Sequence, residues 1–191
     1  MRLLRAEDHA RMPWKNGGGE TVEVAVHPAV PGLDGFDWRV SMATVAADGP
    51  FSCFPGIDRT LAVLDGAGLD LSVEGQGAHR LMPATAPLAF PGDVPAFARL
   101  VGGPVTDLNV MTRRRACRQR VARLRGAHPS AVLRGRWIVL VAAGPSLVAV
   151  DGREVPLRRG DALLGEGGAT VAGGDDPVDL FAVEIDPLSP S

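Results

Sequence analysis

Alternation with a period of two constrains this chain more than any other feature. In "ETVEVAVHP", Val22, Val24 and Val26 fall on one face of an extended backbone, with Thr21, Glu23 and His27 on the other. "DWRVSMATV" sets Trp38, Val40 and Met42 against Arg39 and Ser41. "VTDLNVM" sets Leu108 and Val110 against Asp107 and Asn109. A helix repeats every 3.6 residues, so these segments read as strands. The breaks between them are rich in glycine and proline, and the 24 glycines and 16 prolines suffice to close a turn every few residues. "SLVAVDGREVPL" places Asp-Gly between two alternating arms, a strong hairpin signal. The expected fold is therefore all-β with little helix, a sandwich or barrel. Residues 113–125, "RRRACRQRVARLR", are the exception. Arginine favours helix, yet the apolar positions are too few for a stripe, so helix and crossing strand both stay open.

An internal echo points to two related β-units. "GAGLDLSVEG" (66–75) resembles "GPSLVAVDG" (144–152), and each is followed by a Gly-Asp pair, Gly92-Asp93 and Gly160-Asp161. The order matches although the spacing does not. The expected division is residues 1–125 and residues 126–191, within a chain of 191 residues that can bury a substantial core.

Charge and motifs exclude several functions. A net charge of −2 supplies no field for nucleic acid or an anionic membrane. The arginines of 113–125 lack interleaved aromatics for base stacking, which favours intramolecular ion pairs there. No apolar run approaches a membrane span, and "MRLLRAEDHARMPW" has charges where a signal peptide needs its apolar stretch. The expected location is cytoplasmic, and two cysteines suggest no disulfide framework. His9, His27, His79 and His128 form no metal-ligand spacing, so neither metal nor other cofactor is expected. No serine sits in a nucleophile elbow, and Cys53 between two phenylalanines reads as a small apolar residue. In "MPWKNGGGETV" the sole lysine, Lys15, precedes its glycines and a strand follows them. A phosphate loop needs a helix there.

Four blocks, "PWKNGGGETVEV", "FDWRVSMATVAADGPFSCFPGIDRTLAVLDGAGLDL", "FPGDVPAFARL" and "GPVTDLNVMTRR", together resemble the HutD/Ves family. They cover roughly residues 10–115, in the family's order. The resemblance implies a bicupin, two cupin-like β-barrel or jelly-roll units in one chain. It further implies a metal-free protein that binds a small metabolite of histidine degradation and moderates that pathway. Urocanate, formiminoglutamate and N-formylglutamate are the candidate ligands.

A small-molecule pocket has apolar walls and a few placed polar groups. Polar residues that recur on one strand face are more often simply the wet side. Here they form compact sets within the family blocks: Arg39 with Ser41, Ser52 with Asp58 and Arg59, Asp107 with Asn109. Either arginine can offer a fork to a carboxylate, or pair with Asp37, Asp58 or Asp107. Trp14, Phe51 and Phe54 are candidates for an apolar floor. Lys15 and Asn16 would stand at the mouth, and Glu20 and Thr21 either join the site or cap the loop. The expected partner is a small anionic or imidazole-bearing metabolite, and a homodimer stays open. The alternative is a metal-independent isomerase or hydrolase, with Glu20, Asp58, Asp107 or Lys15 as its acid or base.

Overall fold

The computed structural model describes residues 1–14, 18–28 and 35–188. The described residues are strands and turns, with a single short 3₁₀ turn at Ala6–Asp8. No helix among them is long and apolar enough to cross a membrane. The chain divides into two compact units: Ala10–Cys117, and Met1–His9 with Arg118–Ser191. This differs from a division at residue 125. The reason is pairing: Arg2–Leu4 runs antiparallel to Ala162–Glu166, which assigns the first residues to the later unit, and the strand Cys117–Gly126 joins that unit's five-stranded sheet.

In the Ala10–Cys117 unit, a six-stranded antiparallel sheet runs in the order Ala10–Pro13, Gly19–His27, Trp38–Val45, Val105–Arg113, Ile57–Asp65, Leu88–Pro91. A four-stranded sheet runs Gly49–Pro50, Ala96–Leu100, Leu69–Val73, Gly77–Leu81. Val45, Leu61, Val63 and Val105 of the first pack with Leu71, Val73, Leu81 and Ala98 of the second. Fully burying each such Leu or Val stabilises by about 1.5–3 kcal/mol. Both sheets keep open edges, so the unit is a pair of facing sheets and not a closed barrel. Proline explains part of this. Pro13, Pro50 and Pro91 lie on edge strands, where a missing N–H is tolerated.

The other unit has a five-stranded sheet, Arg2–Leu4, Ala162–Glu166, Trp137–Ala142, Val178–Pro187, Cys117–Gly126. Its four-stranded sheet runs Ser130–Leu133, Ala169–Gly173, Ser146–Val150, Arg153–Leu157. The two units repeat one strand order. Cys117–Gly126, Val178–Pro187, Trp137–Ala142 and Ala162–Glu166 follow one another as Trp38–Val45, Val105–Arg113, Ile57–Asp65 and Leu88–Pro91 do, and the four-stranded sheets match likewise. The echo in the sequence marks equivalent places. "GLDLSVEG" and "SLVAVDG" open equivalent hairpins, and Asp151 and Gly152 both take positive φ, as an Asp-Gly turn requires. Gly92 and Gly160 each donate a backbone N–H to a carbonyl, of Ile57 and of Ala142. Asp93 accepts from Gly56 N–H and Arg114, and Asp161 from Ala6 N–H, Arg158 N–H and Arg5.

The open question at 113–125 resolves as strand. Arg113 ends one strand, a turn follows, and Cys117–Gly126 forms a sheet edge. Its arginines meet acids of Val178–Pro187: Arg120 with Glu184 at 3.4 Å, and Arg123 with Asp179 at 2.6 Å. Charged side chains also guard such an edge against pairing with another chain.

Candidate functional site

Within the Ala10–Cys117 unit the six-stranded sheet lines a cavity of about 590 Å³. Register brings the polar residues together. Asn109 lies opposite Ser41 on one side and Leu61 on the other, and Met111 lies between Arg39 and Arg59. Arg39, Ser41, Arg59, Asp107 and Asn109 therefore share one sheet face, and all five are buried. This polar face is not the wet one. It continues directly from the apolar floor of Val45, Leu61 and Val105.

A β-bulge sets the remaining neighbour. The pairing of Gly19–His27 with Trp38–Val45 slips between Glu23 and Ala25. Before the slip, Thr21 and Glu23 share the face of Ala43 and Ser41. After it, Val26 stands opposite Arg39, and His27 opposite Trp38. Strict alternation would keep His27 with Thr21 and Glu23; the bulge instead stacks it on Trp38, ring centroids 5.8 Å apart. Glu23 becomes the partner of Arg39, its Oε2 accepting from Nε at 2.8 Å. That partner is none of Asp37, Asp58 or Asp107; it comes from the neighbouring strand, on the face Glu23 shares with Thr21.

Arg59 is held by three aromatic rings and two hydrogen bonds. Its guanidinium lies over Phe51, Phe90 and Phe54, at 5.0, 5.3 and 5.7 Å from the ring centroids. Nη1 donates to the Ser52 carbonyl and Nη2 to Asn109 Oδ1. Its aliphatic stem passes Gly92, where an added Cβ would come within 2.9 Å of Arg59 Cγ and 3.0 Å of the Ile57 carbonyl. Only glycine fits beside the stem without displacing it. Asn109 Nδ2 in turn donates to Asp107 Oδ1, completing a buried chain Arg59–Asn109–Asp107.

Three atoms of this wall have no hydrogen-bond partner among the described residues: Arg39 Nη2, Arg59 Nε and Asp107 Oδ2. Leaving a buried polar atom unsatisfied costs about 1–3 kcal/mol, more for charged groups. Burial pushes the Asp107 carboxyl up to about 7, against the pull of Arg59 and Asn109. Burial also lowers Arg59 to about 10; Asp107 opposes that shift and the like charge of Arg39 adds to it.

Of the expected site residues, Trp14, Thr21, Ser52 and Phe54 join the buried five at the cavity. Trp14 is fixed by its Nε1–H, which donates to Thr21 Oγ1 at 2.8 Å, and by Gly19. A Cβ on Gly19 would overlap the Thr44 carbonyl oxygen and stand 3.2 Å from the Trp14 ring, so the glycine permits that close approach. Asp58 and Glu20 do not reach the cavity. Asp58 follows strand alternation to the face opposite Arg59 and accepts from Arg114 at 2.7 Å. Glu20 pairs with Arg11 at 2.8 Å on the surface. Lys15 and Asn16 lie outside the described residues. Glu23, Phe90 and Met111 complete the site's surroundings; Thr21's alternation with Glu23 was the signal for the first. No three His, Cys, Asp or Glu side chains among the described residues converge as metal ligands.

Comparison with known proteins adds an independent line. The HutD family model matches residues 6–177. An uncharacterized 21.2 kDa protein of the hutC 3′ region in Pseudomonas putida is 41% identical over 157 residues, 81% of this chain and 80% of that one. Protein Ves of Citrobacter koseri is 39% identical over 119 residues, 60% of each. The structure of HutD from Pseudomonas fluorescens SBW25, from a formate condition, superposes with a TM-score of 0.83 at 31% identity, covering 98% of this chain and 99% of that one. A salicylate 1,2-dioxygenase variant from Pseudoaminobacter salicylatoxidans matches in fold alone, at a TM-score of 0.58 and 11% identity over 96% of this chain and 85% of that one. The fold is thus all-β with cupin-like neighbours.

Proposed function

The chain belongs to the HutD family, and from that premise we propose that its Ala10–Cys117 unit binds a small carboxylate-bearing metabolite of histidine degradation. The observation that carries this reading is a trio of buried atoms without a hydrogen-bond partner among the described residues, Arg39 Nη2, Arg59 Nε and Asp107 Oδ2, in residues that line one cavity. Two guanidinium groups suit a carboxylate, each through donors already fixed in place. Asp107 supplies the third polar contact. Trp14, Val45 and Phe51 offer the apolar surface that a compact organic body needs. Urocanate, formiminoglutamate and N-formylglutamate fit these requirements. The repeated strand order supports reading the chain as a bicupin with one ligand-binding unit. Its role is then that of a cytoplasmic sensor or moderator of flux, working without a metal.

Thermal unfolding with this panel tests the proposal. A true ligand at about 100 times its dissociation constant stabilises by roughly 2.7 kcal/mol. Arg39→Met should remove that shift while leaving the protein folded. If no panel compound moves the transition of the wild-type protein, the reading fails.

One observation favours a second reading. A carboxyl whose proton leaves near neutrality is suited to acid–base chemistry, and Asp107 stands in the cavity wall. A metal-independent isomerase or hydrolase acting on a small carboxylate would use it. Product formation detected by NMR, lost in Asp107→Asn, would establish that reading; binding without turnover would remove it.

A further inference from the structure

The site's polar wall has a fixed arrangement that goes beyond accommodating an anion. Asn109 cannot serve as a neutral bystander, because both ends of its amide are committed. Its carbonyl oxygen accepts from Arg59 Nη2, so its Nδ2 must face Asp107 Oδ1. One Asp107 oxygen is thereby held as an acceptor. The other, Oδ2, is buried and has no hydrogen-bond partner among the described residues, in a side chain shielded from solvent.

The charges around it can be counted element by element. The strand Gly19–His27 contributes Glu23, the strand Trp38–Val45 contributes Arg39, and the strand Ile57–Asp65 contributes Arg59. The facing strands Leu69–Val73 and Ala96–Leu100 pack apolar Leu71 and Ala98 into the same interior. Glu23 offsets Arg39 through a 2.8 Å ion pair, which leaves Arg59. Counting the described residues, with Asp107 ionised this wall is neutral and has no net charge to offer an anion. With Asp107 protonated it carries one positive charge. A ligand carboxylate beside an ionised Asp107 would put two like charges side by side in a water-poor wall, and such pairs hold a proton between them.

We propose that the site takes up its carboxylate together with one proton from solvent, carried on Asp107 Oδ2 and donated in a hydrogen bond to the ligand carboxylate. Asp107 is then a ligand-contacting donor that selects an acceptor-only group. This deepens the carboxylate-binding reading and rests on it. The burial that already holds the Asp107 carboxyl high acts in the same direction.

Isothermal titration calorimetry tests it, with formate and N-formylglutamate as probes, because their carboxylates stay ionised across the neutral range. At about pH 8, titrations in two buffers of different ionisation enthalpy should report about one proton taken up per ligand bound. Affinity should fall about tenfold per pH unit above about pH 7, the slope of one linked proton. Asp107→Asn, which keeps a donor at this position, should bind with an affinity independent of pH and take up no proton; circular dichroism and thermal unfolding check its fold. Binding by the wild-type protein without proton uptake overturns the proposal, as does a pH slope that persists in the Asn variant. Such results leave carboxylate binding itself intact. Absence of binding by either probe at any pH overturns both.

Discussion

The two units share a strand order and differ in what fills them. Where Val105–Arg113 and Ile57–Asp65 send Asp107, Asn109 and Arg59 inward, the equivalent strands Val178–Pro187 and Trp137–Ala142 hold Leu180, Ala182, Ile138, Leu140 and Ala142. One interior is an apolar cluster; the other combines an apolar floor with a charged wall around a cavity. Burying a charged network is frequently no better for stability than filling the same space with hydrocarbon. The apolar cluster of the second unit indicates that this strand order needs no polar interior.

Substitutions can separate the two roles. The largest expected effect is in the apolar unit: Leu140→Ala should destabilise by about 2–5 kcal/mol in chemical denaturation, yet leave ligand affinity within twofold or so. Converting the charged wall should do the reverse. The combined change Arg59→Met, Asn109→Leu and Asp107→Leu is expected to keep or raise stability, by up to about 1–4 kcal/mol, and to abolish carboxylate binding. If that variant unfolds instead, the wall is structural and the contrast collapses.

Titration provides a gentler probe. The Asp107 carboxyl is raised in the folded state, so between its unfolded range and about 7 the native protein holds the extra proton. Its contribution is present at low pH and declines as pH rises through about 7. Asp93 runs the other way. Its hydrogen bonds to Arg114 and Gly56 hold it at about 2, so its contribution is present above the unfolded value and is lost as pH falls toward 2. Melting temperatures from pH 4 to 8 should therefore decline for the wild type and stay flatter for Asp107→Asn. Smallest of all, Arg120→Ala should change stability by about 1 kcal/mol or less, because its 3.4 Å pair with Glu184 is exposed.

The fold was largely written in the alternation. Valines two apart, Asp-Gly between alternating arms and the Gly-Asp echo each correspond to a strand, a turn or a repeated position. The site was readable where one face of a regular strand carried the chemistry, as with Arg39 and Ser41, or Asp107 and Asn109. It was less readable where geometry breaks the period. The bulge after Glu23 turns His27 away and brings Val26 in, and no composition rule announces it. Asp58 sits next to Arg59 in sequence but on the opposite face, so proximity in the chain misleads. The Arg59 cage depends on Phe90, distant in sequence and joined only by strand pairing. Burial of the polar face was also hidden, since alternation says which residues share a face and not which face meets water.

The pairing of Arg2–Leu4 with Ala162–Glu166 has a consequence for synthesis. A ribosome delivers the chain from its amino end, and domains generally fold as units as they emerge. The Ala10–Cys117 unit is continuous, so all of its strands are available before the second half exists. The strand Arg2–Leu4 is made before that unit, yet its partner Ala162–Glu166 is made after it. The Ala10–Cys117 unit can thus mature on a nascent chain while Arg2–Leu4 still waits for its partner.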